Sequence, residues 1–534
     1  MLSNLELHKR SLSFILVTCL FYVSFGYDLL REDTPKLIGL AVACFFFTHK
    51  IIQWEGENFK LLFATGLIFR ILLFGAAPIL SQDFYRYIWD GQLLISGINP
   101  YLFTPNELID TLKDQIPSAP FLYEKMGDMS QKHYSNYPPT SQFIYALAAY
   151  IGQGSVSASI VVFKVIITVA DVAVLFFSRW LMQHLKIPKK NAFWYFLNPL
   201  IILELSGNLH LEGVMIAFFL AGICWLIKAA NLLKEVADIN DFDSPMNQIV
   251  IERTRALNKI ISKKNTSTYL LAALLLALSI MTKLIPILFY PFLLIPLGFK
   301  KWLQLGLCIL LFCGLLLWPL LGEGFFEYYL QTIGLWFSNF EFNASIYNIV
   351  KNISKTLGNS GYKTILSYGK WLPFLIISWA IIVLIWQISL FKKEKTNWLS
   401  LIKNTLIMIY KKPFKVFFIK PTKLFLLKPG TKNSLIAYYS SLYAMLFMLS
   451  GYLFLATTVH PWYLIFGLVL SLFTPYRYFI YWTAAVFISY ATYAHPDFKE
   501  NLWLIAIEYL GVFTLMIYEI VRIKTSKIIY VKNV

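Results

Sequence analysis

The chain has 534 residues, of which 58% are hydrophobic and 14% charged, with a formal net charge of +18 at pH 7. A soluble core has no use for so much apolar surface, whereas a polytopic membrane protein requires it, so composition excludes an ordinary soluble domain. The positive balance fits basic cytoplasmic loops, and no nucleic-acid partner is expected.

A spanning helix needs about 20 mostly apolar residues. On that rule, apolar segments lie at 11–28, 36–53, 59–80, 158–183, 191–206, 210–232, 267–283, 285–299, 302–321, 370–391, 433–457, 460–475, 478–493 and 502–522. Several are short, so the expected fold is an all-α bundle of about thirteen transmembrane helices. His8, Lys9 and Arg10 precede the first run without a small-x-small cleavage site, which predicts an uncleaved signal-anchor. Cys19, Cys44, Cys224, Cys308 and Cys313 all sit in apolar segments and read as packing residues.

From Lys392 to Lys432, eleven Lys face one acid, Glu394. This stretch reads as a cytoplasmic loop resting on anionic lipid. It divides the chain into a transmembrane catalytic region (1–391), the basic loop (392–432) and C-terminal helices (433–534). With that loop inside, His210, Glu212 and the His460-Pro461-Trp462 string fall on the outer face, and Lys283 lies near the outer end of its span. Three N-terminal spans also place 81–136 outside. The two counts agree if 137–152 is a re-entrant helix, or if 267–299 is one kinked helix.

The polar island SQDFYRYIWDGQLLISGINPYLF, Ser81–Phe103, is the strongest functional signal. Asp83, Arg86 and Asp90 beside a membrane segment are costly to desolvate, and such charges mark functional sites. Tyr85–Ile95 is amphipathic and predicts a short helix along the membrane surface. A second outer segment, 322–369, holds Glu323, Glu327 and Glu341 and a short helix near 345–353.

Four segments should share one membrane face: the island with Asp83, Arg86, Tyr87 and Asp90; Tyr137-Pro138-Pro139; the turn carrying Glu204, His210 and Glu212; and His460-Pro461-Trp462. Together with Lys283 they offer a carboxylate, cations and aromatic platforms, a set that suits group transfer from a lipid-linked phosphosugar. The carboxylate deprotonates an acceptor hydroxyl, and donors stabilise the departing phosphate. Each residue also has a structural reading. Asp83 can cap the following helix, Arg86 and Asp90 can pair at i, i+4, and Tyr137 with its prolines can simply start a helix. Lys283 can snorkel, and His460 with Trp462 can form an interfacial aromatic belt. Lys164 and Asp171 read as intramembrane partners or packing. No ligand cluster supports a divalent metal, and no cofactor is predicted.

The ordered strings SQDFYRYIWDG…GINPY, YPP, NPLIILELSGNLHLEG, TKLIPILFYP and HPWYL resemble those of the bacterial GT-C glycosyltransferases, particularly the polyprenol-phosphate-mannose-dependent mannosyltransferases. The glycosylphosphatidylinositol mannosyltransferase I catalytic subunit is a more distant resemblance. The likeness runs from about Asp83 to Tyr463. It implies an inverting hexose transfer, with mannose as the sugar, from a polyprenyl-phosphate donor to a lipid-linked or extracytoplasmic glycan acceptor. It also implies a catalytic Asp in the first outer loop, matched by Asp83, and a location in the bacterial inner membrane with the site on its outer face. Gln82-Asp83 stands where relatives carry paired acids, leaving Asp83 as the single candidate base. Arg86, Tyr87, Asp90, Tyr137, Glu204, His210, Glu212, Lys283, His460 and Trp462 are the candidate donor or substrate contacts. Two other classes compete. A lipid-linked sugar flippase predicts internal symmetry and midplane polar residues, neither of which is evident. A glycan polymerase or ligase predicts paired Arg in a large outer loop, and 322–369 has no Arg.

Overall fold

The computed structural model describes residues 8–240, 266–338, 340–389, 432–494 and 499–525. Among these the protein is helical, apart from one parallel bridge between Phe342 and Thr458. The basic segment 392–432, save its last residue, lies outside the described residues, as does most of the expected loop 233–266.

A helical hairpin, α1 (Lys9–Tyr27) and α2 (Thr34–Glu55), opens the chain. Asp33 caps α2 by accepting from the Lys36 amide, and Pro35 sits in its first turn. α3 (Phe59–Ile71) leads to α4 (Asp83–Ile95), the predicted amphipathic helix. α5 (Pro139–Gly152), α6 (Val156–His184), α7 (Glu212–Asn240) and α8 (Thr266–Thr282) follow. Then come α9 (Leu294–Leu317), α10 (Phe325–Ser338), α11 (Ile346–Thr356) and α12 (Gly361–Ser389). α13 (Lys432–Leu455), α14 (Leu464–Leu472), α15 (Tyr478–Ala485) and α16 (Leu502–Thr525) complete the bundle.

Among the described residues, eight helical runs are long and apolar enough to cross a membrane, and two shorter apolar ones accompany them, so the protein is a multi-pass, all-α membrane protein. In α7 and α13 the apolar windows are 78% and 72% buried, which makes them the centre of the bundle; α12 and α16, at 17% and 22%, face outward. A helix apolar on its exposed side is lipid-facing.

Fewer long helices are present than apolar segments in the sequence, and the backbone shows why. The 59–80 segment stops being helical at Ile71. The 191–206 segment breaks into short turns and a π-helical turn, Ile202–Gly207. Segments 285–299 and 302–321 merge into one apolar run, Ile285–Leu320, bent at Gly298, whose φ of +71° is open to glycine. α8 ends at Thr282, so 267–299 is not one helix. α5 has 14 residues, about 21 Å at the helical rise and short of the ~30 Å hydrocarbon core. Gln153 and Gly154, both at positive φ, turn the chain from it into α6.

Beneath the polar island, buried charges fasten α3 to α6. Arg70 Nε donates to Asp171 at 2.8 Å, its Nη1 donates to the Gly66 and Phe196 carbonyls, and Tyr195 donates to Asp171 at 2.6 Å. Lys164 donates to the Leu73 and Ala76 carbonyls. Lys164 and Asp171 are therefore packing residues with separate partners, not partners of each other.

Candidate functional site

α4 lies against α5 so closely that a Cβ on Gly91 would fall 2.2 Å from the Tyr145 carbonyl oxygen. This approach fixes where the first turn of α4 sits. Asp83 is the first helical residue, preceded by Gln82 as N-cap, so its carboxylate is favoured by the helix dipole without serving as the cap. Ser81 Oγ accepts from its amide at 3.2 Å. Asp83 enters no ion pair among the described residues. Burial pushes its carboxyl above the ordinary aspartate range. The Lys283 charge opposes that shift, Glu212 adds to it, and Arg31 and the Ser81 hydrogen bond oppose it more weakly.

Arg86 and Asp90 form the i, i+4 pair at 2.6 Å. Arg86 Nη1 also donates to the Ser130 and His133 carbonyls, while Asp90 Oδ2 accepts from Ser135 at 2.5 Å and Gln142 at 2.9 Å. The pair pins the loop before α5 onto α4. Arg86 Nη2 is left without a partner among the described residues.

The turn between 202 and 211 is strained. Two residues past the π-helical turn, Leu209 is fully buried at φ +66°, a left-handed conformation that costs a non-glycine residue roughly 1–2 kcal/mol. It aims His210 so that its ring stacks on Trp462 at 3.8 Å, and Tyr87 OH lies 3.4 Å from His210 Nδ1. Glu204 Oε2 is 3.5 Å from His210 Nε2, and the other Glu204 oxygen accepts from Tyr490. Lys283, just past the end of α8, pairs with Glu212 at the start of α7. Both charges suit the helix ends they occupy.

Stacked rings continue outward from His210. Trp462 lies parallel to His460 at 4.4 Å, His460 stacks on Phe342 at 5.0 Å, and Phe342 on Tyr493 at 6.0 Å. The Arg31 guanidinium caps the row, 3.7 Å from the Tyr493 centroid. Backbone pairing sets this register: Phe342 N donates to Thr457 O, and Val459 N to Phe342 O. His460 Nδ1, although buried, has no partner among the described residues.

These elements enclose a cavity of about 330 Å³, within the range of small-ligand sites. Of the candidates from sequence, Asp83, Arg86, Tyr137, His460 and Trp462 line it. Tyr87, Asp90, Glu204, His210, Glu212 and Lys283 are not among its lining residues. Among the lining residues that the sequence did not single out are Arg31, Glu341, Tyr493 and Glu500. Glu341 pairs with Lys351, and Glu500 accepts from the Asn343 amide. Arg31 sits among Asp28, Glu32 and Asp33 in a six-residue link between apolar runs, a pattern that signals only a solvated turn. Among the described residues no group of three His, Cys, Asp or Glu is placed to hold a metal ion.

The family described as Alpha-(1->6)-mannopyranosyltransferase, N-terminal domain, matches residues 37–297. The likeness read from the motifs is shown over those residues. Similar proteins include alpha-(1->6)-mannopyranosyltransferase B of Corynebacterium glutamicum, 26% identical over 148 residues, covering 28% of this chain and 23% of that protein. Alpha-(1->6)-mannopyranosyltransferase A of Mycobacterium tuberculosis is 24% identical over 221 residues, 40% of each chain. The matched portions thus span less than half the length of these curated relatives. No solved structure matches. The segment that the family model matches holds Asp83, Arg86, Tyr137, His210 and Lys283. Arg31, Glu341, His460, Trp462 and Tyr493 complete the cavity from outside it.

Proposed function

We propose that the protein is an integral membrane mannosyltransferase that takes mannose from a polyprenyl-phosphate donor and adds it to a lipid-linked or extracytoplasmic glycan. The reaction occurs at the outer face of a bacterial cytoplasmic membrane. The observation that carries this reading is Asp83: a carboxylate on a cavity wall, in no ion pair among the described residues, with its proton affinity raised by burial, while Asp90 and Glu212 nearby are each held by a cation.

Asp83 accepts the proton of the acceptor hydroxyl as its oxygen attacks the anomeric carbon. The bond from that carbon to the phosphate oxygen breaks, and the lipid phosphate leaves with the electron pair. Attack opposite the leaving group inverts the centre, so the α-linkage in the relatives' names would arise from a β-linked donor. Arg31 Nε, Arg86 Nη2 and His460 Nδ1, on residues that line the cavity and without a partner among the described residues, would donate to the developing phosphate charge, His460 in its Nδ1-protonated tautomer. Trp462 offers an aromatic face to the sugar.

The test compares wild type with Asp83→Asn in nanodiscs, using labelled polyprenyl-phosphate-mannose and a membrane glycolipid fraction as acceptor. Transfer by wild type alone, with donor binding kept in both, supports the assignment. Absence of transfer by wild type, with movement of the lipid-linked sugar across a proteoliposome bilayer, would overturn it in favour of a flippase.

A further inference from the structure

A second concavity lies far from the cavity described above. It has a volume of about 410 Å³ and opens between α6 and α7. Phe177 and Trp225 meet edge to face across it, and Cys224 Sγ reaches the Phe177 carbonyl at its base. Phe176 and Trp180 form its outer wall, and Phe176 is half exposed. Its rim is basic: Arg179, Lys189 and Lys228 line it, and no acidic residue does. Lys228 Nζ stands 4.0 Å over the Trp225 ring and 5.9 Å from that of Trp180, and it forms no ion pair among the described residues. Arg179 rests on Phe59 and donates one hydrogen bond to the Lys189 carbonyl. Glu57, the nearby acid, is engaged by Lys190 instead.

Helix arithmetic places this groove at the opposite membrane face from Asp83. Phe163 of α6 touches the Tyr87 ring behind the cavity, and Trp180 lies seventeen residues further along, about 26 Å at the helical rise. Glu212 opens α7 beside Lys283, and Lys228 lies about 24 Å beyond it. Lys186, Lys189 and Lys190 follow α6 directly, which marks this end as cytoplasmic. A lipid-facing slot with an aromatic floor and a cationic rim matches one ligand in shape and charge: an acyl chain below a phosphate.

We propose that this groove binds an anionic phospholipid of the cytoplasmic leaflet, its headgroup phosphate between Lys228, Lys189 and Arg179 and an acyl chain along Phe176, Trp180 and Trp225. The site is independent of the transfer reaction, and its chemistry is that of juxtamembrane basic pockets, in which each cation contributes separately to anionic lipid affinity.

The experiment is equilibrium binding of fluorescent phosphatidylglycerol to the full chain in neutral detergent micelles, with phosphatidylcholine and inorganic phosphate as competitors. Lys228 and Lys189 are exposed, so Lys228→Gln and the double variant with Lys189→Gln should keep the wild-type melting temperature. Phosphatidylglycerol should bind about fivefold more weakly to the single variant and roughly 25-fold more weakly to the double one. Lys228→Arg should restore binding, and Arg31→Gln, which alters only the distant cavity, should leave it unchanged. Equal affinity in wild type and double variant overturns the proposal. So does equal competition by phosphatidylcholine, which would make the groove a general lipid contact. Displacement by inorganic phosphate at matching concentration would make it an anion site without a lipid. Loss of binding in Arg31→Gln would place the lipid in the other cavity.

Discussion

Arg70 closes α3 and Asp83 opens α4, yet their surroundings differ in kind. Around Arg70 the charges are answered: Asp171 neutralises it, two carbonyls accept from Nη1, and Tyr195 takes the second Asp171 oxygen. Among the described residues, only Arg70 Nη2 is left over there. Around Asp83 the valences stay open, with no ion pair at the carboxylate and no partner for Arg31 Nε, Arg86 Nη2 or His460 Nδ1 among the described residues. Buried polar groups are normally satisfied, so a set of unsatisfied ones facing a common cavity marks where a ligand belongs, and a satisfied set marks architecture.

The sharpest way to break that distinction is to neutralise one acid from each region. Asp83→Asn should lower transfer by roughly 10²–10⁴-fold, the usual contribution of a general base, with the melting temperature unchanged. Asp171→Leu should act oppositely, destabilising the protein by about 3–5 kcal/mol through a stranded Arg70. Adding Arg70→Met should recover much of that loss. Thermal unfolding in detergent beside transfer assays separates the two; an Asp171 variant that stays stable but inactive would collapse the comparison.

Gly91→Ala probes the seam that carries Asp83. Its Cβ would drive into the Tyr145 carbonyl, so a loss of about 1–3 kcal/mol is expected, with reduced turnover. Gly511→Ala, inside α16 where a Cβ meets nothing within 4 Å, is the matched control: it should leave turnover unchanged and cost no stability. Arg31→Gln should raise the donor KM about tenfold, the value of one charge-assisted hydrogen bond, at unchanged stability. Arg31→Lys should recover part of it.

The smallest effect is in pH dependence. A base must be deprotonated, and burial raises the Asp83 carboxyl above its ordinary value of 3.8. Transfer should therefore fall as pH is lowered through that raised value. Arg31 favours the ionised carboxylate, so Arg31→Gln should move the acid limb of kcat/KM to higher pH. A limb that moves lower would assign it to another group.

Much of this was legible before the fold was known. The island at Asp83–Asp90, the i, i+4 pair and the helix along Tyr85–Ile95 follow from local spacing, and the structure contains all three. The placement of His210 and Glu212 was not legible. Their charge at a turn suggested ligand contact, and only the buried Leu209 turn shows that the His210 ring stacks on Trp462, one layer behind the cavity lining. Arg31 carried no signal at all, because its position depends on Tyr493, a residue hundreds of positions away.

Sequence alone determined that this is a multi-pass helical membrane protein with its polar chemistry concentrated beside α4, since hydropathy and local charge spacing are properties of contiguous residues. Tertiary structure decided which charges neutralise each other and which remain open. It also decided which apolar segments break into turns and which cations reach the cavity. Those outcomes depend on contacts between distant helices, where the cost of an unpaired buried charge is set by neighbours that no local pattern specifies.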